Sequence, residues 1–192
     1  MGSDLHKDDR GAEARTGAQR GFTATELIIV IAIVAVLAAI ASPSLVRIMQ
    51  TNRIATEATQ FVGDLQYARS EAIRQGGNVT LCPSTTGSSC TGGLAWQSGW
   101  IMFSDPNANR ALDSGEMLIR HQPGWTGTDE MTASAAALGT LSFSRDGFLI
   151  GLPASGRFVL TTTPEDATLT RCVLVNVTGR QQVVPVNGGT CP

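Results

Sequence analysis

The chain has 192 residues, a formal net charge of −2 and only 16% charged side chains. That length holds one ordinary domain and an extra segment, and that charge balance gives no general attraction for nucleic acid. With 21 glycines, the low-charge sequence points to short strands and tight turns rather than a helical bundle.

Residues 1–20 come first. MGSDLHKDDRGAEARTGAQR is polar, mixed in charge and without apolar periodicity, so it is expected to be disordered. It differs from a secretory signal, where a short basic start leads into an apolar region and a small-residue cleavage site. The apolar run follows instead, as FTATELIIVIAIVAVLAAIASPSLV. No charged residue lies between positions 27 and 46. As a helix those positions span roughly 30 Å, the thickness of a bilayer's hydrocarbon. Residues 22–46 are therefore expected to be the transmembrane half of a helix, with Pro43 kinking it or loosening one turn. Glu26 is the only ionisable residue in that stretch, and a carboxylate there is costly unless it has work to do.

The helical pattern continues through residues 47–76. Ile54, Ala58, Phe61, Val62, Leu65, Ala68, Ala72 and Ile73 recur at spacings of three and four, one apolar face of an amphipathic helix. Arg53, Glu57, Asp64, Arg69, Glu71 and Arg74 fill much of the rest, and Gly76-Gly77 makes a glycine stop. The greasy face must pack on something, and residues 77–192 are the candidate.

Those residues read as strands: 78–82, 99–105, 116–121, 139–144, 148–152, 156–163 and 170–177 are short, β-branched or aromatic and parted by Gly, Pro, Asn and Asp. Arg145-Asp146-Gly147 reads as a tight hairpin turn. Trp96, Trp100 and Trp125 read as sheet core or hairpin packing. The fold class is α+β, a long N-terminal helix whose second half packs on an antiparallel sheet domain. The four cysteines form no C-x-x-C pair, and with two distant histidines they offer no zinc set. An even count beside an export-type segment points to disulfides in an oxidising compartment. Of the three pairings open to them, Cys82–Cys90 and Cys172–Cys191 are favoured, each pair being close in sequence and flanked by turn residues.

GFTATELIIVIAIVAVLAAIASP resembles the class III prepilin signal of type IV pilins and type II secretion pseudopilins, with Gly21 before the cut, Phe22 after it and Glu26 fifth in the mature chain. The resemblance implies a type IV pilin-like fold, cleavage between Gly21 and Phe22 by a prepilin peptidase, and methylation of the new Phe22 amine. It also implies a single-pass inner-membrane subunit with residues 1–21 cytoplasmic and residues 77–192 periplasmic. Glu26 would neutralise a Phe22 amine, of a neighbour or of its own chain, when helices bundle in a dry fibre core. ARSEAIRQGGNVTLCPS, the GWIMFSD and EMLIRH segments and RCVLVNVTGR resemble the minor pseudopilin H and minor pilin T/U group (GspH/FimT-like). The partners so implied are other pilins or pseudopilins, the peptidase and the inner-membrane assembly platform. The implied role is a low-abundance subunit near the tip of a secretion pseudopilus or type IV pilus.

Two further patterns compete with plainer readings. Asp105, Asn107, Asn109, Asp113 and Glu116 fall at the spacing of an EF-hand calcium loop. Arg110, however, stands where that loop needs glycine, and an Asx-rich hairpin loop explains the same residues. Gly179-Arg180 falls where some DNA-binding minor pilins of this group carry Gly-Arg-x-Arg, but Gln182 takes the place of the second arginine. A competence-pilus subunit that contacts DNA through Arg180 is thus the alternative function. No nucleotide loop, G-x-S-x-G elbow or Ser/His/Asp set is present in the sequence, which argues against a membrane-anchored enzyme.

Overall fold

A computed structural model describes residues 21–186 and 191–192, with the side chains at 42 and 43 left aside. The expected disorder of residues 1–20 and the expected effect of the Pro43 ring therefore lie outside what is described. Helix α1 runs without a break over Ala24–Gln75. The chain divides into two compact units, Met1–Ser44 and Leu45–Pro192.

In the first unit the helix is apolar on every side and open to its surroundings. Ala24–Ala41 is long and apolar enough to cross a membrane, and none of it is buried. In the second unit the helix is two-faced. Ile54, Ala58, Phe61, Leu65, Ala68 and Ala72 are each 0% exposed, and this stripe recurs every three to four residues, as a half-buried helix requires. Ile73 departs from the expected stripe, at 52% exposed. It sits in the last turn, where the helix is already closing. Gly76 N–H donates to the Ile73 carbonyl and Gly77 N–H to the Ala72 carbonyl, with Gly76 at φ 65°. That crossed pair is a Schellman ending, and the left-handed φ is why glycine stands there.

The strands are β1 Val79–Pro83, β2 Gly99–Ser104, β3 Leu118–Pro123, β4 Glu130–Ala133, β5 Leu141–Phe143, β6 Leu149–Ile150, β7 Ser155–Thr161, β8 Arg171–Asn176 and β9 Gln181–Pro185. They form two antiparallel sheets rather than the one expected: β3-β2-β1-β5-β6 and β4-β7-β8-β9. The second sheet has both of its edge strands outside the expected set. β4 has only Met131 and Ala133 turned inward, and β9 is an exposed edge that ends in proline, where the absent N–H costs nothing. The hairpin at Arg145-Asp146-Gly147 is formed, closed by Gly147 N–H to the Ser144 carbonyl with Gly147 at φ 78°.

Phe61 of α1 is the hub of the core. Its ring centroid lies 5.4 Å from Trp100 on β2 and 4.8 Å from Phe158 on β7, and 5.3 Å from Trp96, all edge to face. One helical side chain thus ties both sheets to α1, in the geometry aromatic quadrupoles favour. Trp96 and Trp100 are 0% exposed, and each buried indole N–H has an acceptor: the Leu138 carbonyl at 3.1 Å and Asp64 Oδ2 at 3.0 Å. Disulfides join Cys82 to Cys90 and Cys172 to Cys191. The first pins the loop after β1, and the second ties Cys191 to the inner strand β8.

Candidate assembly and interaction sites

The first site is the start of α1. Gly21, Phe22 and Thr23 lie outside the helix, and Phe22 is 88% exposed. The Thr23 carbonyl accepts the Leu27 N–H, and the Thr23 hydroxyl accepts the Glu26 N–H at 3.3 Å. Glu26 reaches back to accept the Thr23 N–H at 3.4 Å. Thr23 is not among the expected site residues, although its signal, T-x-x-E before an apolar run, is plain in the sequence. A carboxylate in the first turn also faces the positive end of the helix dipole.

The second site is the seam between α1 and the sheets. Glu57, Asp64 and Glu71, part of a polar face by sequence, are 8%, 2% and 8% exposed. Their seven-residue spacing sets them along one edge of the helix. Asp64 accepts from the Trp100 indole and pairs with Arg120 of β3, whose guanidinium also lies 4.7 Å from the Tyr67 ring centroid. Glu71 takes Arg74 at 2.5 Å, one turn along the helix.

Glu57 stands differently. Arg53 donates to both carboxylate oxygens of Asp129, at 2.5 and 2.6 Å, and Thr163 N–H adds a third bond at 2.9 Å. Those bonds hold Asp129 below the usual carboxylate range in spite of the opposing effect of its burial. Glu57 beside it is pushed up to about 7, first by burial and then by the Asp129 charge. Its Oε2 is buried and has no hydrogen-bond partner.

The third site is the loop between β2 and β3. Asp105 is 0% exposed and accepts from the Thr80 hydroxyl and from the backbone N–H groups of Asn109 and Arg110. Asn107 and Asn109 donate to Asp113 Oδ2, at 2.9 and 2.6 Å, and Glu116 accepts the Asp113 N–H. The loop's acceptors are thus turned onto its own donors, as in an Asx-rich loop. Among the described residues no group of three or more His, Cys, Asp or Glu could hold a metal ion. Arg110, in the place of the expected loop glycine, adopts φ 64° and donates to the Ile150 carbonyl at 3.0 Å.

The fourth site surrounds Arg180. A groove of about 410 Å³ is lined by Gln66, Arg69, Ser70, Ile73, Arg180 and Gln181. Gly179, at φ 73°, lies so close to the Gly147 carbonyl that a Cβ there would strike it, and would press tightly on Arg69. Arg69 Nε and Gln181 Nε2 are buried without partners. By sequence Arg69 is an ordinary polar-face residue, and only the fold brings it beside Arg180.

Comparison with known proteins bears on what these sites belong to. The profile of the family described as "Type II transport protein GspH" matches residues 57–179, well over half of the chain. The pilin-like protein PilA1 of Thermus thermophilus is 35% identical over 100 residues, 51% of this chain and 56% of that protein. The chain thus spans little more than half the length of that relative. The type IV minor pilin FimU of Pseudomonas aeruginosa (strain PAO1) superposes with a TM-score of 0.54 over 70% of this chain and 90% of that one, at 23% identity. A second crystal form gives a TM-score of 0.51, over 68% of this chain and 92% of that one at 22% identity. At that level of identity the likeness is one of fold. The chain belongs to the GspH family, a type IV minor-pilin-like family, and has a type IV pilin-like α+β fold.

Proposed function

We propose that this chain is the precursor of a low-abundance subunit that assembles, near the tip, into a type II secretion pseudopilus or type IV pilus. The observation that carries this reading is the stretch Ala24–Ala41, wholly apolar after Glu26 and 0% buried, within the same helix that supplies the core of a folded domain. Exposed apolar surface on that scale is stable only in lipid or against other such helices. In this reading residues 1–21 are a cytoplasmic leader, cut between Gly21 and Phe22 by the prepilin peptidase, and the Phe22 amine is methylated. Residues 22–46 are the membrane and assembly half of the helix, residues 47–76 the amphipathic half, and residues 77–192 the periplasmic domain.

Assembly follows from charge. A Phe22 amine and the Glu26 carboxylate are each costly in a dry helix bundle, and far less so as a pair. Pairing with a neighbour's amine, on the inner-membrane platform, would set the axial register of the fibre. Glu26→Gln is expected to insert and be processed but to be nearly absent from sheared fibre fractions that contain the wild-type chain. Wild-type levels of Glu26→Gln in those fractions would sink this role.

A second reading, a DNA-binding subunit of a natural-transformation pilus, draws support from the groove that puts a second arginine, Arg69, beside Arg180. Gln182 in place of a second arginine weakens it. Gel retardation of DNA by the mature chain, lost on Arg180→Ala and at high salt, would favour this reading; no retardation at low salt would dismiss it.

A further inference from the structure

The bond assigned to the peptidase lies in non-helical backbone. Gly21, Phe22 and Thr23 precede α1, which begins at Ala24. Thr23 is the N-cap by all three marks of one: its carbonyl takes the Leu27 N–H at 3.2 Å, its hydroxyl takes the Glu26 N–H at 3.3 Å, and its own N–H is taken by Glu26 Oε2 at 3.4 Å. This is a reciprocal capping box. Phe22 and Leu27 occupy the two positions of a hydrophobic staple, but at 88% and 60% exposed they do not close one. Hydrogen bonds, not packing, set where the helix starts.

The start matters because peptidases act on extended chain, whose peptide groups are free to pair with the enzyme. A helix running back through Phe22 would engage those groups itself. The membrane favours such lengthening, since every backbone N–H left unpaired in a dry setting is costly. The box answers that cost in another way, by giving the N–H groups of Thr23 and Glu26 side-chain acceptors. Alanine at 23 would remove the hydroxyl and leave an excellent helix former, so the helix could lengthen toward the bond.

We propose that Thr23 positions the Gly21–Phe22 bond for the peptidase by ending α1 two residues short of it, and that Glu26 serves this step through its hydrogen bond and not its charge. The proposal rests on the reading that this bond is the one cut. Glu26 then has two separable tasks. A glutamine at this position makes the same capping bond but cannot neutralise an amine.

The test is a cleavage time course of the full chain in membranes that hold its own prepilin peptidase, read by mass. Thr23→Ala and the nearly isosteric Thr23→Val are expected to be cut about fivefold more slowly than wild type, while Thr23→Ser and Glu26→Gln stay within about twofold. Glu26→Gln is then expected to be missing from fibres although fully processed. Wild-type rates for both Thr23→Ala and Thr23→Val, or a Thr23→Ser as slow as Thr23→Ala, would overturn the proposal while leaving the cleavage reading intact. A wild-type chain not cut at Gly21–Phe22 would instead remove the cleavage reading, and the proposal with it.

Discussion

The two halves of α1 use apolar residues in opposite ways. In Ala24–Ala41 they surround the helix and are unburied, so nothing in this stretch prefers one side. In the half that carries Ile54 to Ala72 they form a stripe, fully buried under two sheets. An all-round apolar helix fits lipid or a bundle of like helices, while a striped one fits a single partner surface. The contrast shows how one helix can be anchored by composition and folded by pattern.

The largest effect should come from breaking the stripe at its hub. Phe61→Ala removes a 0% exposed ring that touches both sheets, and should cost about 3–5 kcal/mol. In detergent that is a fall in melting temperature of about 10 °C or more. Ile33→Ala, at a site 55% exposed, should leave the melting temperature unchanged. Equal effects from the two would erase the contrast between the halves.

A smaller loss is expected at the seam. Asp64→Ala takes an acceptor from the buried Trp100 N–H and a partner from Arg120, and should cost about 2–3 kcal/mol in chemical denaturation. A change under about 0.5 kcal/mol would class Asp64 with ordinary surface residues.

The smallest effect is a pH dependence. Glu57 is raised to about 7 in the folded chain, from an ordinary 4.5, so folding favours its protonated form. That contribution is fully present below pH 4.5 and is lost as pH rises through about 7. Asp129 is shifted down, so its contribution is present above the ordinary carboxylate range and is lost only in stronger acid. Between pH 6 and pH 8, near the Glu57 value of about 7, the melting temperature should therefore fall by a few degrees. Glu57→Gln should flatten the slope. An unchanged slope in that variant would place the dependence elsewhere.

The halves of α1 were legible because each is a local pattern: an uninterrupted apolar run, then a period near 3.6 closed by Gly76-Gly77. The seam was not. Glu57, Asp64 and Glu71 look like a solvated face, and the groups that keep two of them company, Asp129 and Arg120, lie far along the chain on other elements. The division into two sheets was hidden for a related reason. β4 and β9 have few inward apolar residues, so pairing with β7 and β8 makes them strands, not their own sequence. Thr23 is the opposite case, since its capping pattern stood in the open and lay in the shadow of the prepilin signal around it.

The central claim is that the exposed apolar half of α1 is a fibre-assembly element released by processing. Intact mass and N-terminal sequencing of the chain, from a cell with its own prepilin peptidase, test it most directly. The account expects a mature chain that begins at a methylated Phe22. A chain that still begins at Met1, or is cut elsewhere, would contradict it and reduce the segment to an ordinary membrane anchor.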